Sequence, residues 1–425
     1  MRNRLSMEYL LCNVWGTIGS VALAILILLV MITVHEFGHY LAGKILHFKI
    51  DEFSIGFGPA LFKRRSKKTG ELFSLRLIPL GGYCAFAGED GVEKASEESP
   101  EASRESKSEE PFSELASEEE NRSDKKEQKE QEEREEKTQA SGYFTNRPCW
   151  QRIIVLVSGA LMNYVLAIVV IIASMFSFGQ SMIAVYRAEP TAEIAAQYCL
   201  QDYDILLSAE GKDLYLTTDL AHILNGKKAG DRVQMRISRV VGQDEAGKNV
   251  REEMQVSIVL RCDVNAQNSS DLDSVWSALG FAKDAQSGYQ VAGALYKFGF
   301  WETLGRSFAY SFAIAGSIFS VLGELLTGKL GISALGGPVT TITMTSQIVA
   351  TGMRGFLEIS GFIGVNLAVF NLLPIPALDG SKVVFTAIEW IRGKPLNRKV
   401  EAIIHAVGFL LLLGFAVLVD VLQFL

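Results

Sequence analysis

Apolar residues gather in five runs along this chain, at 14–34, 153–176, 307–323, 359–373 and 402–419, with mixed or charged sequence between them. The first run, Val14 to Val34, has 21 residues, no charge, and only Thr17, Ser20 and Thr33 as hydroxyls. As a helix it covers roughly 31 Å, enough to cross a bilayer core. Its length sets it apart from a cleaved signal peptide. Gln151–Phe178 predicts a second span with Gly159 and Asn163 on one face, where a small residue permits close helix contact. Ile359–Leu373 and Ala402–Val419 predict two more.

Between the runs the pattern changes. Asp51–Phe57 and Glu71–Leu80 read as strands joined by a polar turn, and Gly81-Gly82 is expected to end the second. Such a hairpin at the membrane surface offers an edge to an extended peptide. Within 181–265, Ala192–Leu200 and Thr218–Asn225 read as helices, and Asp204–Leu207, Arg232–Val240 and Glu253–Val259 as strands. These predict a small peptide-binding β-barrel of five or six strands.

Charge alters the picture in one place. Residues 89–139 carry 20 acidic and 9 basic side chains, a net of −11 against −7 for the whole chain. That stretch has too little apolar surface to fold alone and reads as a solvated, disordered linker. The acidic total therefore reflects one segment and gives no sign of a nucleic-acid partner. The five cysteines show no Cys-x-x-Cys spacing, which excludes a zinc knuckle or redox pair. Whether Cys199 and Cys262 pair is left open.

The chemistry sits where the first run ends, at His35-Glu36-Phe37-Gly38-His39. Residues four apart share a helical face, so both imidazoles can grip one metal ion while Glu36 serves a water as general base. Ionisable groups beside a span usually have a task, because they are costly there. A zinc site also needs a third protein ligand and an open fourth position.

Topology selects it. Eight basic residues at 44–76 place that loop in the cytoplasm, so the second span leads outward and the run at 359–373 returns. Pro374 and Pro376 break the helix, and Asp379 then reaches the face of His39. This parity requires that 307–323 does not cross, so Trp301–Leu326 is expected to be an interfacial or re-entrant helix. His405, which begins the last span, is the competing third ligand.

These motifs, together with Phe53-Ser54-Ile55-Gly56-Phe57-Gly58-Pro59, Ile78-Pro79-Leu80-Gly81-Gly82-Tyr83 and Asn371-Leu372-Leu373-Pro374-Ile375-Pro376-Ala377-Leu378-Asp379-Gly380, resemble the site-2 protease family of intramembrane metalloproteases. The bacterial form carries an extracytoplasmic PDZ domain. The resemblance implies zinc on His35, His39 and Asp379, Glu36 as catalytic base, and Asn366 and Asn371 against the substrate backbone. It implies cleavage, in the cell membrane, of single-span proteins already shortened by an upstream site-1-type protease, such as anti-sigma factors or signal-peptide remnants. The rival reading is a non-proteolytic membrane adaptor that binds peptides through its PDZ-like domain.

The expected fold is a polytopic α-helical membrane protein, with four spans, an interfacial or re-entrant helix, a membrane-associated β-hairpin and an extracytoplasmic PDZ-like α/β domain. The expected divisions are 1–88 for the first span and hairpin, 89–142 for the acidic insertion and 143–180 for the second span. The PDZ-like domain follows at 181–265, a linker with the interfacial helix at 266–350, and the last two spans at 351–425.

Overall fold

The computed structural model describes residues 2–89, 142–186, 188, 199–266, 268, 271–284, 288–289, 291–332 and 335–424. The acidic stretch, except Glu89, and most of the expected Ala192–Leu200 helix lie outside the described residues. In order come α1 (Arg2–Ile45), β1 (Ile50–Arg65), β2 (Leu72–Phe86), α2 (Cys149–Phe178), β3 (Gln180–Val185), β4 (Ile205–Ala209), β5 (Lys212–Asp213) and α3 (Thr218–Leu224). They are followed by β6 (Arg232–Gln243), β7 (Asn249–Val259), α4 (Asp273–Leu279), β8 (Lys283–Asp284), β9 (Gly288–Tyr289) and β10 (Val291–Tyr296). Five helices complete the chain: α5 (Phe300–Leu326), α6 (Pro338–Val349), α7 (Met353–Leu372), α8 (Asp379–Arg392) and α9 (Arg398–Phe424).

Among the described residues, five helices are long and apolar enough to cross a membrane: Thr17–Ile45, Cys149–Phe178, Phe300–Leu326, Met353–Leu372 and Arg398–Gln423. This is the composition of a multi-pass membrane protein. The sequence reading set Trp301–Leu326 apart as interfacial, yet its mean hydropathy of 1.5 equals that of α7. Length and apolarity alone do not separate the two.

The chain forms two compact units, one of Met1–Ile27, Asn163–Phe370 and Leu412–Leu425, the other of Leu28–Met162 and Asn371–Leu411. In the first, β10-β3-β4-β6-β7 form an open sheet in that order, with β5 against β4. Ile183 faces Leu206 and Leu206 faces Ile237, so one apolar row crosses the sheet. Leu220 and Leu224 of α3 and Val275 and Leu279 of α4 close over it, all but fully buried. Two expectations change here. The sheet does not stop at 265, because β10 pairs with β3 (Ala292 with Ala184, Tyr296 with Gln180). Among the described residues it is also open, not a barrel. β3 buries nearly every residue, so it needs a neighbour on each side, and that neighbour comes from far along the chain. Cys262 is a free thiol.

In the same unit Ala167, Ile171 and Met175 of α2 pack with Ile314 and Ile318 of α5 and Val365 and Val369 of α7. Buried Arg306 of α5 donates to Gln180 Oε1 at 2.7 Å and to the Leu214 carbonyl at 2.6 Å, which ties that helix to the sheet.

The second unit holds the hairpin, and it is more folded than alternation alone suggests. β2 runs through Gly81-Gly82 to Phe86, so the glycine pair bends the strand instead of ending it. Gly56 (φ +85) and Gly58 (φ +83) bend β1, a conformation that L side chains avoid. Each strand consequently pairs twice: Ser54 faces both Tyr83 and Ser74, and Ser74 also faces Lys63. Phe48, Ile50, Phe86, Phe144, Val155 and Leu156 form the apolar support beneath.

Candidate active site

His35 and His39 lie on one face of α1, each 7 % exposed. Two glycines make room for them. A Cβ on Gly38 would come within 2.5 Å of the Ser158 carbonyl, and one on Gly159 would collide with His39 Nε2. The two helices therefore meet backbone to backbone, and the imidazoles fill the space that side chains would have taken.

Each ring is oriented by its far nitrogen. His39 Nδ1–H donates to the Val155 carbonyl at 2.7 Å. Asn371 Nδ2 lies 3.3 Å from His35 Nδ1, which accepts from it. The two Nε2 atoms face the same point, 3.2 Å apart. Asp379 Oδ2 completes the triangle at 2.9 Å from His35 Nε2 and 3.3 Å from His39 Nε2. Two imidazole nitrogens and a carboxylate oxygen so close together form a donor set that one cation can bridge. Among the described residues this is the group of three or more metal-type donors within 4.8 Å of one another.

Asp379 arrives at the first residue of α8, after a loop whose bends suit only certain residues. A Cβ on Gly380 would collide with the carbonyls of Leu372 and Leu373, so α8 starts hard against the end of α7. His405, the competing ligand, stays outside the triangle; its Nδ1 accepts the Ala377 amide at 3.1 Å. Asn366 belongs to the other compact unit, where its amide donates one turn back to the Phe362 carbonyl at 2.8 Å.

Residues 23–415 match the profile of peptidase family M50. The chain belongs to that family. It is 28 % identical to zinc metalloprotease RasP of Bacillus licheniformis over 447 residues, covering 94 % of this chain and 97 % of the relative. The regulator of sigma-W protease RasP of Bacillus subtilis is 27 % identical over 448 residues with the same coverage. Zinc metalloprotease RasP of Oceanobacillus iheyensis is 28 % identical over 447 residues, again with that coverage. The site-2 protease resemblance thus extends over nearly the whole chain, and the protein is a zinc metallopeptidase.

The donor triangle suits that metal. Zinc bonds of about 2.0–2.1 Å in a tetrahedron give donor–donor edges of roughly 3.3 Å, close to the 2.9, 3.2 and 3.3 Å measured here. Two imidazoles and one carboxylate also make a three-ligand set of the kind that catalytic zinc sites use while keeping one position open.

Glu36, the next residue of α1, lines a cavity of about 390 Å³ together with His39, Asp379, Glu52, Tyr83 and Lys382. The hairpin forms one wall: a Cβ on Gly82 would sit 3.2 Å from Glu36 Cγ. Arg76 fastens that wall, donating to Glu52 at 2.8 Å, Tyr83 Oη at 2.7 Å and the Gly58 carbonyl at 2.9 Å. Burial raises the Glu52 pKa, but hydrogen bonds from Ser74 and Arg76 outweigh it and hold the carboxyl below its ordinary value. Lys382 pairs with Glu89 at 2.7 Å. The sequence reading did not single out Gly38, Tyr83 or Lys382. The signal for the glycine was its place inside the metal motif, on the face of the helix that must meet another.

Proposed function

We propose that this M50 peptidase hydrolyses peptide bonds in the membrane-spanning segments of single-span proteins that another protease has already shortened. His35, His39 and Asp379 would hold the zinc, which when bound supplies a Lewis acid that polarises a carbonyl and acidifies water. Glu36 takes the proton from the attacking water and passes it to the departing amine nitrogen. Val155 and Asn371 keep the two imidazoles aligned. The substrate helix must unwind locally, because its amides are otherwise bonded internally. The segment 82–86 of β2 runs beside the site and offers backbone partners to the unwound strand. One relative's name, regulator of sigma-W protease, makes anti-sigma factors a fitting substrate class, with signal-peptide remnants beside them.

The topology in this reading has four spans in the cell membrane, with α5 interfacial or re-entrant and the sheet domain, PDZ-like, on the extracytoplasmic side as an access filter. Support comes from Asp379 lying against the histidines: between His39 and Asp379 the chain must cross an even number of times. At 12 residues, α6 covers about 18 Å, too short to restore parity if α5 crossed.

The observation that carries the proposal is the buried donor triangle opening onto Glu36. Purified Glu36→Gln protein, reconstituted with a single-span substrate, is expected to keep its zinc and to lose cleavage by a factor on the order of 10²–10⁴. Cleavage at the wild-type rate would overturn the assignment.

A further inference from the structure

The loop that delivers Asp379 contains one strained residue. Ala377 has φ +79, in the left-handed region that a side chain disfavours. Its amide is taken by His405 Nδ1 of α9 at 3.1 Å. Its neighbours are accounted for locally: the Ile375 amide bonds to the Leu373 carbonyl at 2.7 Å and the Leu378 amide to the Ile375 carbonyl at 3.1 Å. Ala377 is thus the point where the turn depends on another helix.

α9 is shaped to reach it. Gly408 is buried one turn beyond His405, and a Cβ there would collide with Pro376. The helix therefore lies against the loop at Pro376 and hydrogen-bonds it at Ala377. The His405 ring stands edge-on to Phe385 of α8, with centroids 5.6 Å apart, which fixes its plane. Accepting through Nδ1 puts the ring proton on Nε2, a buried atom with no hydrogen bond among the described residues. The ring gives up one bond to make the other.

We propose that His405 is the positioning residue for Asp379, holding Ala377 in its left-handed conformation so that the carboxylate two residues later meets His35 and His39. The inference rests on the reading of Asp379 as the third zinc ligand. It gives the last helix a part in building the metal centre without contributing a ligand. Residues that orient metal ligands typically change metal affinity or activity by about 10–100-fold when lost.

Zinc affinity of the full-length protein in detergent, measured by competition with a chelator, tests this. His405→Leu removes the acceptor and is expected to weaken zinc binding at least tenfold. His405→Asn keeps an acceptor at the Nδ1 position and is expected to stay near wild type. Asp379→Ala runs in parallel. If Asp379→Ala loses zinc and folded His405→Leu does not, the positioning role is wrong while the ligand assignment stands. If Asp379→Ala keeps its zinc, both fall. Should His405→Leu fail to fold, nitrogen-15 spectra of the wild-type histidines decide: a hydrogen-bonded, unprotonated Nδ1 and a protonated Nε2 on His405 are expected. The opposite tautomer overturns the proposal.

Discussion

The two compact units differ in how much charge they bury. In the sheet unit the strand and helix core is Leu206, Leu207, Leu220, Leu224, Val233 and Ile237, each at 0 % exposure. In the hairpin unit, beside the apolar support of Phe48, Ile50, Phe86, Phe144, Val155 and Leu156, burial takes in the ionisable His35, His39, Glu52, Glu71, Arg152 and Glu389, whereas the sheet unit buries Asp204 and Arg306. Apolar burial is non-directional and tolerates repacking. A buried polar group costs stability unless its partners are in place. The sheet unit therefore invests its residues in a stable body, and the hairpin unit spends part of its stability on a charged, directional interior that can hold a cation. Damage should follow the same division: volume changes unfold one unit, while misdirected polar groups empty the other.

The largest expected effect is at Gly159. Gly159→Ala would drive a methyl group into His39 Nε2, and zinc content and peptidase activity should fall together, by roughly 100-fold or more, given what a misplaced catalytic geometry costs. Thermal unfolding of the sheet unit should not move. Near-normal zinc content would break the comparison at its strongest point.

Next comes the ion pair of Arg152 and Glu389, whose side chains are 4 % and 7 % exposed. Removing one partner of such a pair leaves a buried charge and costs about 3–5 kcal/mol. Arg152→Met should show this in denaturant unfolding, and Arg152→Met combined with Glu389→Leu should recover much of it. Burial raises the pKa of Glu389, but the Arg152 hydrogen bond outweighs it and holds the carboxyl below its ordinary 4.5. Its contribution is therefore complete above about pH 4.5 and lost as pH falls through the lower folded value. An acid titration of unfolding, wild type against Arg152→Met, reads that difference.

Leu207→Ala tests the other unit. A fully buried leucine cut to alanine typically costs about 2–5 kcal/mol, which should appear as a lower unfolding midpoint. Zinc per folded molecule should be unchanged. Loss of zinc alongside stability would show that the two interiors are not separable in the way argued here.

How much of this was legible in the sequence follows from which interactions are local. The spacing of His35 and His39 is a helical fact, and α1 carries both on one face. The proline break before Asp379 is local as well, and the carboxylate does meet the imidazoles. The strands at β4, β6 and β7 were expected at Asp204–Leu207, Arg232–Val240 and Glu253–Val259, and each forms there. β10 was not expected, because its partner β3 is distant and pairing leaves no trace in either strand's own pattern. The double pairing of the hairpin was hidden because Gly56, Gly58 and Gly81-Gly82 read as turn residues, whereas positive φ lets them bend strands that continue. His405 was seen as a metal-type side chain in the right region. Only the geometry of Ala377 shows that its nitrogen faces a backbone amide.

The most direct test of the central claim is zinc stoichiometry and coordination in the purified wild-type protein beside His39→Ala and Asp379→Ala. The account predicts a single zinc per chain, with X-ray absorption giving two imidazole nitrogens and one carboxylate oxygen from the protein, and loss of that metal in both variants. Full zinc occupancy in the two variants, or a wild-type coordination shell without histidine, would contradict it.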